Sequence, residues 1–72
     1  LGIETRYVER EILMKDMKVG MVLAEDIKTP KGILIVPRGN EISPVLIRRL
    51  RNFAYTTGIH EPIIVLEPKN VS

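Results

Sequence analysis

Arginine side chains form the strongest set of residues in this chain whose type and spacing suit ligand binding. Residues 28–51 hold six basic side chains against one acidic side chain, and the arginines among them are Arg38, Arg48, Arg49 and Arg51. A guanidinium group binds phosphate or carboxylate bidentately, so these residues could form a surface for phosphate, a cyclic dinucleotide, nucleic acid or an acidic partner. The alternative is a solvated helix face, because an amphipathic helix carries charge opposite its apolar stripe. A net charge of only +2 and an aromatic content of 4% favour the solvated face and disfavour nucleic acid.

The other polar residues that chemistry could use are isolated from one another. Glu25 and Asp26 are adjacent, so in a strand they point to opposite faces and cannot act as a matched acid and base. His60 is the single histidine, and the chain has no cysteine, which excludes a Cys/His zinc site. Ser43 precedes Pro44 and is better explained as a helix cap than as a nucleophile. We therefore predict that the chain is not an enzyme and has no catalytic residue, metal site or cofactor.

Length and composition indicate one small domain with an aliphatic core. The chain has 72 residues, is 44% hydrophobic and contains neither Cys nor Trp. A domain of this size buries about 60% of the surface that its unfolded chain exposes, so its core is marginal without a partner. The lack of cysteine fits a reducing compartment, and no apolar run reaches the roughly 18 residues that span a bilayer. We expect a cytoplasmic protein with no membrane contact.

One amphipathic helix is predicted to begin after residue 43. Ser43 is its N-cap, Pro44 occupies the first helical position, and Ile42 and Ile47 have the spacing of a hydrophobic staple. Gly58 is placed to end the helix with a left-handed backbone conformation. The apolar stripe consists of Leu46, Ile47, Leu50, Phe53 and Ala54.

Strands are predicted on both sides of this helix, so the fold class is α+β. The predicted strands are residues 10–14, an extended segment at residues 21–28, a strand at residues 33–36 that is buried on both faces, and a central last strand at residues 63–66 that Pro68 ends. Residues 29–32 form the turn of a β-hairpin. We expect a small, curled antiparallel sheet of about four strands packed against the single helix. The domain covers residues 10–68, residues 1–9 are a linker or an edge segment, and residues 69–72 are a frayed tail.

The order of these segments resembles a known accessory module. The resemblance lies in residues 18–27 (KVGMVLAEDI), residues 32–39 (GILIVPRG), residues 42–43 (IS) and residues 46–53 (LIRRLRNF), within a match over residues 10–66. The module is found beside the receiver domain of bacterial two-component response regulators and beside HD or HD-GYP phosphohydrolase domains. The chain lacks the His-Asp pair and the Gly-Tyr-Pro motif of those phosphohydrolases. The resemblance therefore implies a regulatory domain without catalysis.

Two functions from different classes follow from this reasoning. The first is a non-catalytic interaction domain of a response regulator, which docks on the neighbouring receiver or phosphohydrolase domain or forms a homodimer. Such a dimer would use the edge strand that includes Ile12 and Leu13, because unpaired strand edges invite pairing. The second is a phosphate or nucleotide sensor that uses the four arginines.

Overall fold

Over residues 4–71 the chain forms one α-helix and five strands, which are arranged in two antiparallel sheets. The computed structural model describes the backbone of residues 4–71 and the side chains of residues 6–69. The elements are β1 (Glu4–Ile12), a single 3₁₀ turn (Met14–Asp16), β2 (Val22–Leu23), β3 (Ile27–Lys28), β4 (Leu34–Val36), α1 (Pro44–Tyr55) and β5 (Ile63–Val71). This arrangement confirms the α+β class, although five strands in two sheets replace the single sheet of about four strands that was expected.

The larger sheet has the strand order β1-β5-β2, so β5, the last of these strands in sequence, pairs with both of the others. β5 lies in the centre, as predicted, and its register with β1 runs from Ile12 opposite Ile63 to Glu4 opposite Val71. The predicted first strand at residues 10–14 was wrong in its bounds, because β1 begins at Glu4 and Met14 belongs to the 3₁₀ turn. Of the predicted linker or edge segment, residues 4–9 lie in the edge strand, and residues 1–3 are outside the described residues.

Pro68 does not end the last strand, contrary to the prediction. Ala24 N–H donates to the carbonyl of Ile64 at 3.0 Å, so the backbone groups of Ile64 and of every second residue after it point toward the β2 side. β2 pairs only with Val65 and Leu66, so no strand lies beside Pro68 on that side and its missing N–H costs no ladder bond. Residues 69–71 accordingly continue in β5 instead of fraying, and only Ser72 of the predicted tail is outside the described residues.

The ends of β1 and β5 form a two-stranded ribbon that projects from the body of the molecule. Residues 4–8 pair with residues 67–71, beyond the point where β2 stops. Five residues of strand span about 17 Å at about 3.4 Å each, which accounts for much of the difference between the long dimension of 47 Å and the intermediate dimension of 20 Å. Arg10 donates to the Glu67 carboxylate at 2.6 Å across the strands near the base of this ribbon.

The smaller sheet is the hairpin that the turn residues predicted. Gly32 N–H donates to the carbonyl of Thr29 at 2.9 Å, and the buried Thr29 hydroxyl accepts from Ile33 N–H at 3.1 Å. Residues 21–28 are not one extended segment, because a bend separates β2 from β3 and places them in different sheets. A bulge at Ile35 shifts the register so that Ile27 pairs with Val36.

The helix begins and ends close to where its sequence signals indicate. Ser43 Oγ accepts from Leu46 N–H at 3.1 Å, which confirms the N-cap. Gly58 has φ +85° and its N–H donates to the carbonyl of Phe53 at 2.8 Å, one turn back along the chain. Of the predicted stripe, Leu50 is fully buried, whereas Ala54 is exposed.

The hydrophobic core lies where β2, β3, β5, the end of β1 and the end of β4 meet α1. Its buried side chains are Ile12, Met17, Met21, Leu23, Ile27, Ile42, Leu50, Ile63 and Val65. Ile42 belongs to this cluster and the half-buried Ile47 packs against it, as a hydrophobic staple requires. The Glu61 carboxylate accepts from Met14 N–H at 2.6 Å and so fastens the 3₁₀ turn to the segment before β5.

Candidate functional site

The helix directs its three arginines to different sides. Leu50 faces the core, and Arg48 lies two positions earlier, about 200° around the helix axis, so it points away from the body. Arg49 and Arg51 precede and follow Leu50, about 100° to either side of it. All three arginine side chains are exposed. The helix therefore presents a broad basic surface instead of one converging set of guanidinium groups.

The predicted arginine cluster is spread over separate depressions. Arg38 lines a cleft beside β3 and β5, Arg49 lines a groove beside β4, and Arg51 lines a hollow next to the 3₁₀ turn. Arg48 lines none of these three depressions. A phosphate clamp needs several guanidinium groups around one point, and the described side chains do not provide that arrangement here.

The cleft beside β3 and β5 carries charges of both signs. It measures about 740 Å³, and its charged or titratable lining residues are Glu11, Glu25, Asp26, Lys28, Arg38 and His60. Asp26 is engaged in the fold, because its Oδ1 accepts from the backbone N–H of Arg38 at 2.8 Å. Among the side chains of residues 6–69, no group of three His, Asp or Glu is placed to hold a metal ion. Small-molecule pockets are lined mainly by apolar side chains, whereas most of the residues that line this open cleft are charged or titratable.

Sequence reasoning missed the groove between β4 and α1. Ile35, Val36, Pro37 and Asn40 line it on the strand side, and the helix supplies Leu46, Arg49, Leu50 and Phe53. The groove is small, about 260 Å³, and its lining includes one cation and no acid. The signal that could have indicated it is an apolar strand followed directly by an amphipathic helix, with too little chain between them to cover both.

The strand at residues 33–36 is exposed, although its composition predicted burial on both faces. Ile33 is 64% exposed and Leu34 is 52% exposed, while Ile35 and Val36 are half-buried. The physical reason for the error is that β4 pairs with β3 alone, and no second layer among residues 4–71 covers its outer face. The exposed apolar strand and the adjacent groove form one continuous feature, which we call the β4 surface (residues 33–37 with Leu46, Arg49 and Phe53).

The outer edge of β4 also carries free backbone groups. Lys28 O accepts from His60 N–H at 2.8 Å on the far side of β3, so the Lys28–Leu34 pair exchanges no hydrogen bonds. The N–H and C=O of Leu34 therefore point outward, away from β3. No backbone or side-chain partner for them occurs within the part of the chain that the structure describes.

The geometry thus defines a small α+β domain with an exposed apolar strand beside a basic helix. Comparison of the chain with models of protein families, with curated proteins and with solved structures finds no match in any of the three. Within residues 4–71, the only helix of more than one turn, α1, is too short and too polar to cross a membrane.

Proposed function

We propose that this chain is a non-catalytic interaction domain of a bacterial two-component signalling protein, located in the cytoplasm. Its partner is a neighbouring receiver or phosphohydrolase domain. The resemblance of residues 10–66 to the accessory module of such regulators supports the signalling context. The exposure of the β4 surface supports the interaction role and is the observation that carries the proposal.

The composition of residues 33–36 does not match their exposure. Four consecutive apolar residues, three of them β-branched, are typical of a strand covered on both faces. In this chain Ile33 and Leu34 remain more than half exposed. Monomeric proteins seldom keep contiguous apolar surface of this kind unless a partner covers it. The partner supplies the layer that the chain itself lacks.

The energy available from covering these side chains is sufficient to matter. Full burial of a Leu or Ile side chain contributes about 1.5 to 3 kcal/mol. Because Ile33 is 64% and Leu34 52% exposed, about 1 to 2 kcal/mol for each side chain remains to be gained on docking. The free energy gained on docking adds to the stability of a small domain whose own core is marginal. This is expected of a domain that packs on a neighbouring domain.

Hydrogen exchange measures this docking directly. The chain is mixed with a purified receiver domain, and separately with a purified HD-type phosphohydrolase domain, from the same organism. With one of them, amide exchange at residues 33–36 should slow about tenfold or more, because a covered edge opens less often. Leu34→Asp should abolish the protection, while Val19→Asp, at another exposed apolar residue, should leave it unchanged. No protection of residues 33–36 by either domain would contradict the proposal.

Self-association through β1 is a second candidate that a specific observation favours. β1 pairs with β5 on one side only, and Tyr7 and Val8 on the ribbon are 55% and 42% exposed. The dimer version that uses Ile12 has less support, because Ile12 is buried and Leu13 lies beyond the end of β1. Charged residues along β1, such as Glu9 and Glu11, also blunt edge pairing. Light scattering coupled to size exclusion should detect the dimer, and a strictly monomeric chain at high concentration removes this candidate.

Anion binding through Arg38, Arg48, Arg49 and Arg51 is the remaining alternative, and their separation in the fold gives it less support. Calorimetric titration with cyclic dinucleotides and short nucleic acids at low and high salt tests it. Charge contacts are strongest at low salt, so the absence of heat there eliminates this alternative.

A further inference from the structure

We propose that the β4 surface binds an extended, acidic segment of a partner polypeptide, which adds as a strand to the outer edge of β4 and lies against α1. This inference rests on the proposed interaction function and deepens it by naming the chemistry of the partner. Three features of the described residues carry it: a free backbone edge, an apolar groove beside that edge, and a basic rim without acids.

The backbone edge selects an extended segment over a helix. The N–H and C=O of Leu34 point away from β3 and have no partner among the described residues. An added strand satisfies such groups with main-chain hydrogen bonds, whereas a helix has already used its own. The bulge at Ile35 disturbs the ladder at the other end of β4, which limits the added strand to a short segment near Leu34.

The groove provides pockets for the side chains of such a strand. Alternate side chains of an added strand point to the same face, and those that face α1 would contact Leu46 and Phe53, which are half-buried. A volume of about 260 Å³ is below the roughly 300 to 1,000 Å³ typical of small-molecule sites. The groove therefore suits one or two apolar side chains of a polypeptide better than a free small ligand.

The charge of the surroundings sets the charge of the partner. Arg49 stands at the rim of the groove, and α1 as a whole carries Arg48, Arg49 and Arg51 with no acidic residue. Opposite charge raises the rate and specificity of association, while a basic segment placed against this helix would be repelled. An acidic side chain near Arg49 satisfies this requirement.

The test uses a defined probe, namely a fluorescein-labelled peptide of about ten residues in which valine and glutamate alternate along one face of the extended strand and threonine occupies the other face. Fluorescence polarisation of this peptide with the chain should show saturable binding. A matched peptide with lysine in place of glutamate should bind at least about tenfold more weakly, a difference of about 1.4 kcal/mol. Methylation of the peptide's backbone nitrogens on one edge should also weaken binding about tenfold, because it removes the donors to β4.

Two protein variants with the same change in charge separate the groove from general attraction. Arg49→Glu should weaken binding of the glutamate peptide about tenfold, since Arg49 lines the groove. Arg48→Glu, on the side of the helix away from the body, should change it less than about threefold. Both positions are exposed, so circular dichroism should show unchanged folding. Amide shifts in NMR spectra should cluster at residues 33–37 and along α1.

Each of the opposite results overturns the inference. Equal effects of the two variants indicate nonspecific charge attraction, and no effect of methylation excludes strand addition. Amide shifts confined to β1 place the site on the other sheet edge. If the protein forms a homodimer that prevents binding of the peptide, a second copy of the chain occupies the groove. If a folded domain protects residues 33–36 from exchange but the peptide does not bind, the interaction function stands and strand addition fails.

Discussion

Truncation of two leucines should have very different effects on stability, because only one of them lies in the core. Leu50 is fully buried in α1, whereas Leu34 in β4 is 52% exposed. A Leu→Ala change removes a transfer free energy of about 2.4 kcal/mol when the side chain is fully buried, at about 0.8 kcal/mol per methylene. At Leu50 the cavity left behind raises the expected loss to between about 2.7 and 5 kcal/mol.

At Leu34 about half of that transfer free energy is at stake, and no closed cavity forms because solvent fills the space. The expected loss for Leu34→Ala is therefore about 1.2 kcal/mol from burial, and at most about 2 kcal/mol when the lower β propensity of alanine is included. The difference between the two variants should be at least about 0.7 kcal/mol. This difference measures how much of β4 the chain itself covers.

Equilibrium urea unfolding, followed by the far-ultraviolet circular dichroism of α1, provides the assay. If Leu50→Ala is partly unfolded without denaturant, both variants and the parent are compared in the same concentration of trimethylamine oxide, which strengthens burial. An unchanged dependence of the unfolding free energy on urea shows that the midpoint reports stability. Equal losses for the two variants would mean that β4 is buried, and the proposed interaction surface would then have no basis.

Three further substitutions test local features. Ser43→Ala should lower the free energy of unfolding by about 1 kcal/mol, because the N–H of Leu46 loses its cap, while Ser43→Asp should retain most of the stability; equal losses would contradict the cap. Gly58→Ala should cost about 1 to 2 kcal/mol, since φ is +85° there, and Gly58→Asn should cost less; thermal unfolding that ranks the two in the opposite order refutes the strain. Glu67→Gln should cost no more than about 1 kcal/mol, because Arg10 and Glu67 are partly exposed, and high salt should erase the difference between parent and variant.

The helix was predictable because every signal that defines it is local. The cap at Ser43, the proline after it and the glycine at residue 58 lie within one stretch of chain, and each acts on the backbone beside it. The hairpin turn at residues 29–32 was predictable for the same reason. In these segments the structure adds distances to what the residue types already indicated.

The extent of β1 and β5 was not predictable, because each strand depends on a segment far away in sequence. Residues 4–9 have no alternating pattern of their own, and they are extended because β5 pairs with them. Considered alone, Pro68 predicts the end of a strand. The strand continues because β2 ends before it reaches Pro68, so the missing N–H of Pro68 costs no hydrogen bond to β2. The lengths of β1 and β5 are therefore set by their pairing and cannot be read from the sequence of either strand alone.

The candidate site divides in the same way. Helical geometry alone places Arg48, Arg49 and Arg51 around α1, but it cannot tell which depression each arginine lines. The prediction for residues 33–36 was wrong because an apolar run indicates only that burial would be favourable. Whether these side chains are buried depends on the number of layers in the fold, which the run does not indicate. The same run is what makes the β4 surface recognisable once the structure is known.

The central place of β5 has a consequence for the order of folding. β5 follows the other described strands in sequence, yet β1 and β2 both pair with it, so the larger sheet cannot assemble until residues 63–71 have been synthesised. The β3–β4 hairpin and α1 rely on nearby contacts and can form earlier. Before β5 is available for pairing, β1 is an unpaired strand. Its charged residues, among them Glu9, Arg10 and Glu11, oppose aggregation of this strand during that interval.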